Sequence, residues 1–215
     1  RFSTPPTSTV LVSPDLGGSV ACPLHILNLF AGINNTGRTL TQLRFDFAKV
    51  VAHFELDDSL ATILRAQSQT PVFADVNDIF SVPLPWFNCI LASPPCQPWS
   101  VRGDAKGVHD PRAATLPRYH QALLRFKPRG GMIEMVDGLR TWVSHGLHSD
   151  INTGPAYEEL ASRIVAAGYV ITSVSFPASM CRSMQSRLRL FMFTTRSDVV
   201  KALGPFSLPN LPQQQ

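Results

Sequence analysis

The sequence is poor in charge, poor in cysteine and without a long apolar run. No uninterrupted apolar stretch approaches the roughly 20 residues that a bilayer-spanning helix needs, which excludes a helical membrane protein. The four cysteines, Cys22, Cys89, Cys96 and Cys181, stand far apart, with no Cys-x-x-Cys pair and no His-x-His cluster. A disulfide framework and a structural metal site are therefore not expected. Charged residues make up 16% of the chain, below the roughly 25% of an average soluble protein, which points to a surface partly covered by partners or by segments outside the chain. What is present is 44% hydrophobic residues in 215, enough for one domain with a real core, together with 18 prolines and a formal charge of +4. The expectation is a reduced, intracellular, mildly basic globular domain.

The apolar pattern begins only at Leu24. Residues 1–23 are rich in Ser, Thr, Pro and Gly, and residues 205–215 in Pro and Gln, so both read as tails or linkers around a domain over 24–204. A first residue of Arg rather than Met reads as processing or excision from a longer chain. Within the domain, strands are expected at His25 to Phe30, Val50 to Phe54, Val72 to Asp75, Asn88 to Ala92, Gly131 to Val136, Tyr169 to Phe176 and Leu188 to Thr195. Helices are expected at Thr39 to Lys49, from an Asp58 cap through Gln67, at Thr115 to Lys127, and at Tyr157 to Ala167 with Gly168 as its stop. Alternation of the two predicts an α/β fold: a doubly wound, mostly parallel sheet, Rossmann-like, with one antiparallel strand near the C-terminus. Such sheets bind ligands at the carboxyl ends of their strands, which directs attention to the residues just after each strand.

Those positions carry chemistry. A strand, a small-residue turn and a helix, followed by an acid after the second strand, is an arrangement that holds an adenosyl group: Gly32 lets the backbone approach the ligand, and Glu55 can accept both ribose hydroxyls. Asp75 after the third strand can accept from an adenine amino group, with Leu56 or Val76 packing on the ring; taken alone, Asp75 reads rather as a helix cap or turn residue. After the fourth strand comes Pro94-Pro95-Cys96-Gln97-Pro98-Trp99-Ser100. A lone cysteine is usually a small buried hydrophobe, the reading given to Cys22, Cys89 and Cys181. Cys96 differs, because prolines at 95 and 98 pin it on a strand-exit loop where its sulfur can be presented to a substrate.

That loop resembles the nucleophile loop of the cytosine-C5 methyltransferase family, and further signatures follow in the family's order. Leu29-Phe30-Ala31-Gly32-Ile33 is similar to the cofactor motif Phe-x-Gly-x-Gly, Glu55 and Asp75 match the next two cofactor acids, and Asp110-Pro111-Arg112 resembles the Asp-Pro-Arg after the mobile catalytic loop. Ile133-Glu134-Met135-Val136 stands where the family has Glu-Asn-Val, and Gln185-Ser186-Arg187-Leu188-Arg189 is similar to Gln-x-Arg-x-Arg. The resemblance implies an S-adenosyl-L-methionine-dependent DNA (cytosine-5) methyltransferase acting by base flipping. Cys96 would add to C6 of the base and make C5 enamine-like. Glu134, its pKa raised by burial, would donate at N3. Arg189, supported by Arg187, would hold O2, while Gln97 and Ser100 belong to the same catalytic set. The implied cofactor residues are Phe30, Ala31, Gly32, Ile33, Asn34, Glu55, Leu56, Asp75, Val76 and Pro95. Val101 to Lys106 reads as a lid over the flipped base. Lys106, Arg112, Arg118, Arg125, Lys127 and Arg129 make the central third basic, either as a nucleic-acid contact or as a solvated face.

The sequence also departs from the family. Asn28 replaces an Asp on the first strand, Asn34-Asn35 replace a Gly pair, Met135 replaces an Asn, and Arg182-Ser183-Met184 replace Gly-Val-Pro. Asn tolerates the left-handed conformation best among non-glycine residues, so the cofactor turn can survive its change. The family's target-recognition region and last conserved segment have no counterpart, so a second subunit or chain segment is expected to supply target recognition. Two alternatives accompany the DNA reading. Ser93-Pro94-Pro95-Cys96-Gln97-Pro98 is similar to the branch that methylates transfer RNA, and the departures fit a non-catalytic scaffold or regulatory subunit. The DNA reading places the protein inside the cell with the DNA: in a nucleus, a bacterial cytoplasm or an organelle.

Overall fold

A computed structural model of the chain describes residues 23–100, 106–141, 156–177 and 187–204. Seven strands, β1 Leu24–Leu29, β2 Ala48–Phe54, β3 Val72–Phe73, β4 Cys89–Ala92, β5 Gly130–Val136, β6 Tyr169–Pro177 and β7 Leu188–Arg196, form one sheet in the order β3-β2-β1-β4-β5-β7-β6. β1 pairs in parallel with β2 and β4, β2 with β3, and β4 with β5, while β7 runs antiparallel to both β5 and β6. The expected doubly wound sheet with a single reversed strand is therefore present. Strand order turns back between β1 and β4, and this is where a crevice opens outside the strand ends.

Helices α1 Asn35–Gln42 and α2 Asp58–Gln67 connect β1 to β2 and β2 to β3. α3 Pro117–Phe126, the single turn α4 Gly138–Thr141 and α5 Ala156–Ala166 lie in the later crossovers, and α6 Ser197–Leu203 follows β7. The core lies between the sheet and α3 and α5: Leu27, Leu29, Ile90, Ile133, Leu190 and Met192 from strands meet Tyr119, Leu123, Leu160 and Ile164 from helices, all buried. Two tyrosines tie this layer together through their hydroxyls. Tyr119 shares a 2.8 Å hydrogen bond with Thr194 on β7, and Tyr169 donates to the Pro128 carbonyl at 2.8 Å.

Several expected boundaries move, three of them in elements beside the crevice. The helix expected at Thr39 to Lys49 begins earlier and ends at Gln42, because Arg44 takes a left-handed φ of 53° and β2 already starts at Ala48. Its apolar residues had mimicked a longer helix, yet α1 buries none of its own side chains. The cap of α2 is Asp57, whose Oδ1 accepts from the Leu60 N–H at 3.0 Å, rather than Asp58, which sits in the first turn. The third strand stops at Phe73, and Asp75 lies beyond it.

Candidate active site

The cofactor turn leaves β1 with a sequence of left-handed residues: Phe30 at φ 59°, Gly32 at 56° and Asn34 at 64°. A bulky residue at positive φ is strained and persists only where its surroundings hold it. Here the Ala31 N–H donates to the Phe54 carbonyl at 2.9 Å, carrying the β1–β2 pairing into the turn and bringing it beside Glu55. Gly32 has the conformation that side chains resist, and an added Cβ would meet nothing within 4 Å, so its absent side chain leaves open space. Its N–H donates to Glu55 Oε2 at 2.7 Å, and the Asp57 N–H donates to Oε1 at 3.0 Å. Each carboxylate oxygen thus accepts one backbone donor and retains acceptor capacity.

Glu55 opens on a cavity of about 240 Å³ whose lining includes Phe30, Gly32, Leu56, Asp75, Val76, Ser93, Pro95 and Gln97. Asp75 caps a short turn, its Oδ1 accepting from the Asn77 N–H at 2.8 Å, so both readings of this residue coexist: a cap on one oxygen and a cavity wall on the same side chain. The donor and acceptor set fits an adenosyl ligand, with carboxylates for a diol and an amino group and apolar Phe30, Leu56 and Val76 for a ring. Three expected residues do not line it. Ala31 is packed in the core, Ile33 is exposed, and Asn34 is buried with its Oδ1 accepting from the Gly37 N–H at 3.1 Å. Asn34 is thus the α1 cap, which uses the left-handed conformation that a glycine pair would otherwise supply.

On the other side of the strand-order reversal, β4 runs into the Cys96 loop. Cys96 is half-buried and precedes a tight turn over Gln97–Trp99, closed by the Trp99 N–H on the Cys96 carbonyl at 3.1 Å and anchored by buried Pro98 and Trp99. Ser100 ends this turn, its N–H on the Gln97 carbonyl at 3.3 Å. Gly138 at the exit of β5 approaches so closely that a Cβ there would overlap the Trp99 carbonyl oxygen. The start of α4 and the cysteine-loop turn are therefore in close backbone approach.

Glu134 lies on β5, opposite Phe191 of β7. Arg189 Nε donates to its Oε1 at 2.8 Å, and the Ser93 side chain also hydrogen-bonds its carboxyl group. Burial pushes the Glu134 pKa up, against the opposing pull of Arg189 and Ser93. Arg187, just before β7, is exposed. Gln185, the Arg182–Met184 departure, Cys22, Cys181 and residues 101–105 of the expected lid lie outside the described residues. Asp110 holds Arg112 with two bonds, Nε on Oδ1 at 2.9 Å and a terminal nitrogen on Oδ2 at 2.6 Å, and this guanidinium lowers the Asp110 pKa to about 2. Among the basic residues of the central third, Arg118 is also engaged, with Asn77 and Gln121 at 2.8 Å each, while Arg125, Lys127 and Arg129 are exposed. Sequence reasoning passed over Ser93, whose signal was available: it is the first residue after β4, a position where ligands bind in this fold.

The strand order, the reversed β7 and the crevice between β1 and β4 define a Rossmann-like methyltransferase fold. Solved structures of the same fold include the Dnmt2 methyltransferase of S. pombe, with a TM-score of 0.59, 18% identity and coverage of 81% of this chain and 50% of that one. The Entamoeba histolytica methyltransferase EhMeth superposes with a TM-score of 0.59 at 19% identity, covering 80% of this chain and 53% of that one. The family profile for C-5 cytosine-specific DNA methylase matches residues 24–215, and the chain belongs to that family. Relatives in sequence include the orphan methyltransferase M.SPRI of Bacillus phage SPR, 27% identical over 83% of this chain and 39% of its own length. The type II methyltransferase M.FnuDI of Fusobacterium nucleatum is 28% identical over 82% of this chain and 48% of its own. The chain thus spans between about two fifths and one half of these relatives. Among the described residues no helix is long and apolar enough to cross a membrane, and no group of three or more His, Cys, Asp or Glu could hold a metal ion.

Proposed function

We propose that this chain carries the catalytic half of a DNA cytosine-C5 methyltransferase that uses S-adenosyl-L-methionine. The observation that carries the reading is the meeting of Glu134, Arg189 and the root of the Cys96 loop beside a cavity walled by Glu55 and Asp75. Glu55 would hold the cofactor through its ribose and Asp75 through its adenine, and the cofactor would supply an electrophilic methyl group. The Cys96 thiolate adds to C6 of a flipped cytosine, and Glu134 delivers a proton to N3 so that the ring electrons are released toward C5. Arg189 holds O2. Once C5 carries the methyl group, which the cofactor would give up to leave S-adenosyl-L-homocysteine, a base removes the C5 proton, the C5–C6 double bond re-forms, the Cys96 sulfur leaves with its bonding pair, and the N3 proton returns to Glu134. Arg125, Lys127 and Arg129 stand where α3 ends and β5 begins, at the end of the strands away from this crevice, and belong to a solvated face. Target choice belongs to a chain segment or second subunit beyond these elements, and the protein acts where the DNA is.

Incubation with 5-fluorocytosine DNA and S-adenosyl-L-methionine, alone and with a recognition partner, is expected to give a covalent adduct that Cys96→Ala abolishes; no adduct in either condition rejects the reading. Competition between duplex DNA and transfer RNA for labelled methyl tests the substrate class, since Ser93 to Pro98 is similar to the transfer-RNA branch. A non-catalytic scaffold would give neither adduct nor measurable cofactor binding by calorimetry.

A further inference from the structure

We infer that Ser93 is a positioning residue for Glu134, joining the cofactor cavity to the group that reads and protonates the base. This rests on the methylation reading above. Ala92 of β4 pairs with Ile133 of β5, so one step beyond the ladder brings Ser93 alongside Glu134, and the two side chains hydrogen-bond. The Ser93 backbone is itself fixed, its N–H donating to the Leu29 carbonyl at 3.3 Å, at the point where β1 enters the cofactor turn. Ser93 also lines the cavity bounded by Glu55 and Asp75. It stands three residues before Cys96.

A carboxyl group on a strand can rotate about its side-chain torsions, and two partners are needed to fix it. Arg189 holds Oε1 from the β7 side, and it is the charged group that acts on Glu134 among the described residues. Arg189 alone leaves the carboxyl free to swing about that contact. The Ser93 hydroxyl, donating from the β4 side, sets the plane of the carboxyl and so the direction in which its proton is offered. It comes from the same short segment as the nucleophile, so the distance between the site of attack at C6 and the site of protonation at N3 is set by one piece of backbone. An acid at N3 and a sulfur at C6 must act on the same ring, and small errors in that spacing are costly.

The test combines a titration with kinetics. In protein carrying 13C-labelled glutamate, Ser93→Ala is expected to move the Glu134 carboxyl midpoint to higher pH, because a donor to the ionised form has been removed, and Ser93→Thr is expected to restore it. In single-turnover methylation, Ser93→Ala should lower the rate on the order of tenfold, within the cost of a small misplacement. The alkaline limb of the rate profile should move to higher pH. A merely structural serine would lower the rate at every pH without moving that limb. An unmoved Glu134 titration overturns the inference whether or not the protein is active. An unchanged rate and pH limb in an active protein overturns it as well. A wild-type protein that forms no 5-fluorocytosine adduct, while the Glu134 titration responds to Ser93→Ala, rejects the methylation reading rather than the contact.

Discussion

The two sides of the strand-order reversal hold their carboxylates in different ways. On the β1–β2 side, Glu55 accepts from the backbone N–H groups of Gly32 and Asp57. Both donors belong to the turn and helix start beside it, so the acid is placed by local chain geometry and is suited to accepting further donors. On the β4–β5–β7 side, Glu134 is gripped by the side chains of Ser93, just after β4, and of Arg189 on β7, and burial raises its pKa. A group held that way can give a proton. Backbone donors make an acceptor; burial against a partial set of side-chain partners makes an acid.

The largest break in this comparison is Glu134→Gln. An amide fills the same space and can still hydrogen-bond, yet it cannot supply a carboxyl proton, so methyl transfer should fall by roughly 10²–10³ while cofactor affinity stays within about twofold. Methylation rates and calorimetry on the same preparation check both parts; equal losses in both would mean that the two sides are not separable. The pH dependence follows from the same acid. Raised by burial from its ordinary value, Glu134 keeps its proton to higher pH than a free carboxyl, and the rate should decline as pH rises through its titration.

The converse break is Glu55→Gln. Loss of the charge that would receive the ribose hydroxyls should weaken cofactor binding about tenfold, the equivalent of about 1.4 kcal/mol. The 13C titration of Glu134 should not move. A shift there would show that the cofactor turn supports the acid directly.

The asymmetry also explains what was legible in the sequence. Glu55, Asp75 and Gly32 follow strands closely and are placed by local backbone, so a strand-turn-helix pattern was enough to single them out as candidates. The Cys96 loop was legible because two prolines mark it. The Ser93–Glu134–Arg189 cluster depends on β7 inserting antiparallel between β5 and β6, a choice of sheet neighbours made by long-range packing and invisible to local periodicity. Asn34 shows the opposite limit. Its left-handed conformation was anticipated from residue type, but its buried side chain serves the α1 cap through Gly37 instead of the cavity. The end of α1 was misread because Leu43, Phe45 and Phe47 continue an apolar pattern that the sheet never buries.

Gly138→Ala addresses the close backbone approach between the start of α4 and the cysteine loop. The added methyl would overlap the Trp99 carbonyl, which is backbone and cannot swing aside. Overpacking of this kind costs about 1–3 kcal/mol. Chemical denaturation should show that loss, and adduct formation should slow while cofactor affinity is retained. Weakened cofactor binding of the same size would show that the two sides move as one body.

The smallest effect is the most specific to this chain. Asn28 stands on β1 where the family usually has Asp, and it is buried opposite His53 of β2, with its Nδ2 3.3 Å from His53 Nδ1. An amide N–H facing Nδ1 suits a neutral ring, with the ring proton on Nε2, and offers nothing to a protonated one. Burial lowers the His53 pKa to about 4, so the folded protein holds His53 neutral where the unfolded chain, at about 6.5, begins to take up a proton. Stability from this site is complete above pH 6.5 and is lost as pH falls toward 4; the loss between pH 7.5 and 5.5 should be about 1 kcal/mol by thermal or chemical denaturation. Asn28→Asp places a carboxylate against the same nitrogen, which stabilises the protonated ring and should carry the His53 titration, followed by NMR, above its unfolded value. The acid sensitivity would then vanish. A His53 midpoint that stays near 4 in the variant would show that desolvation alone sets it, and that the exchange of Asp for Asn on β1 is not what keeps this histidine neutral.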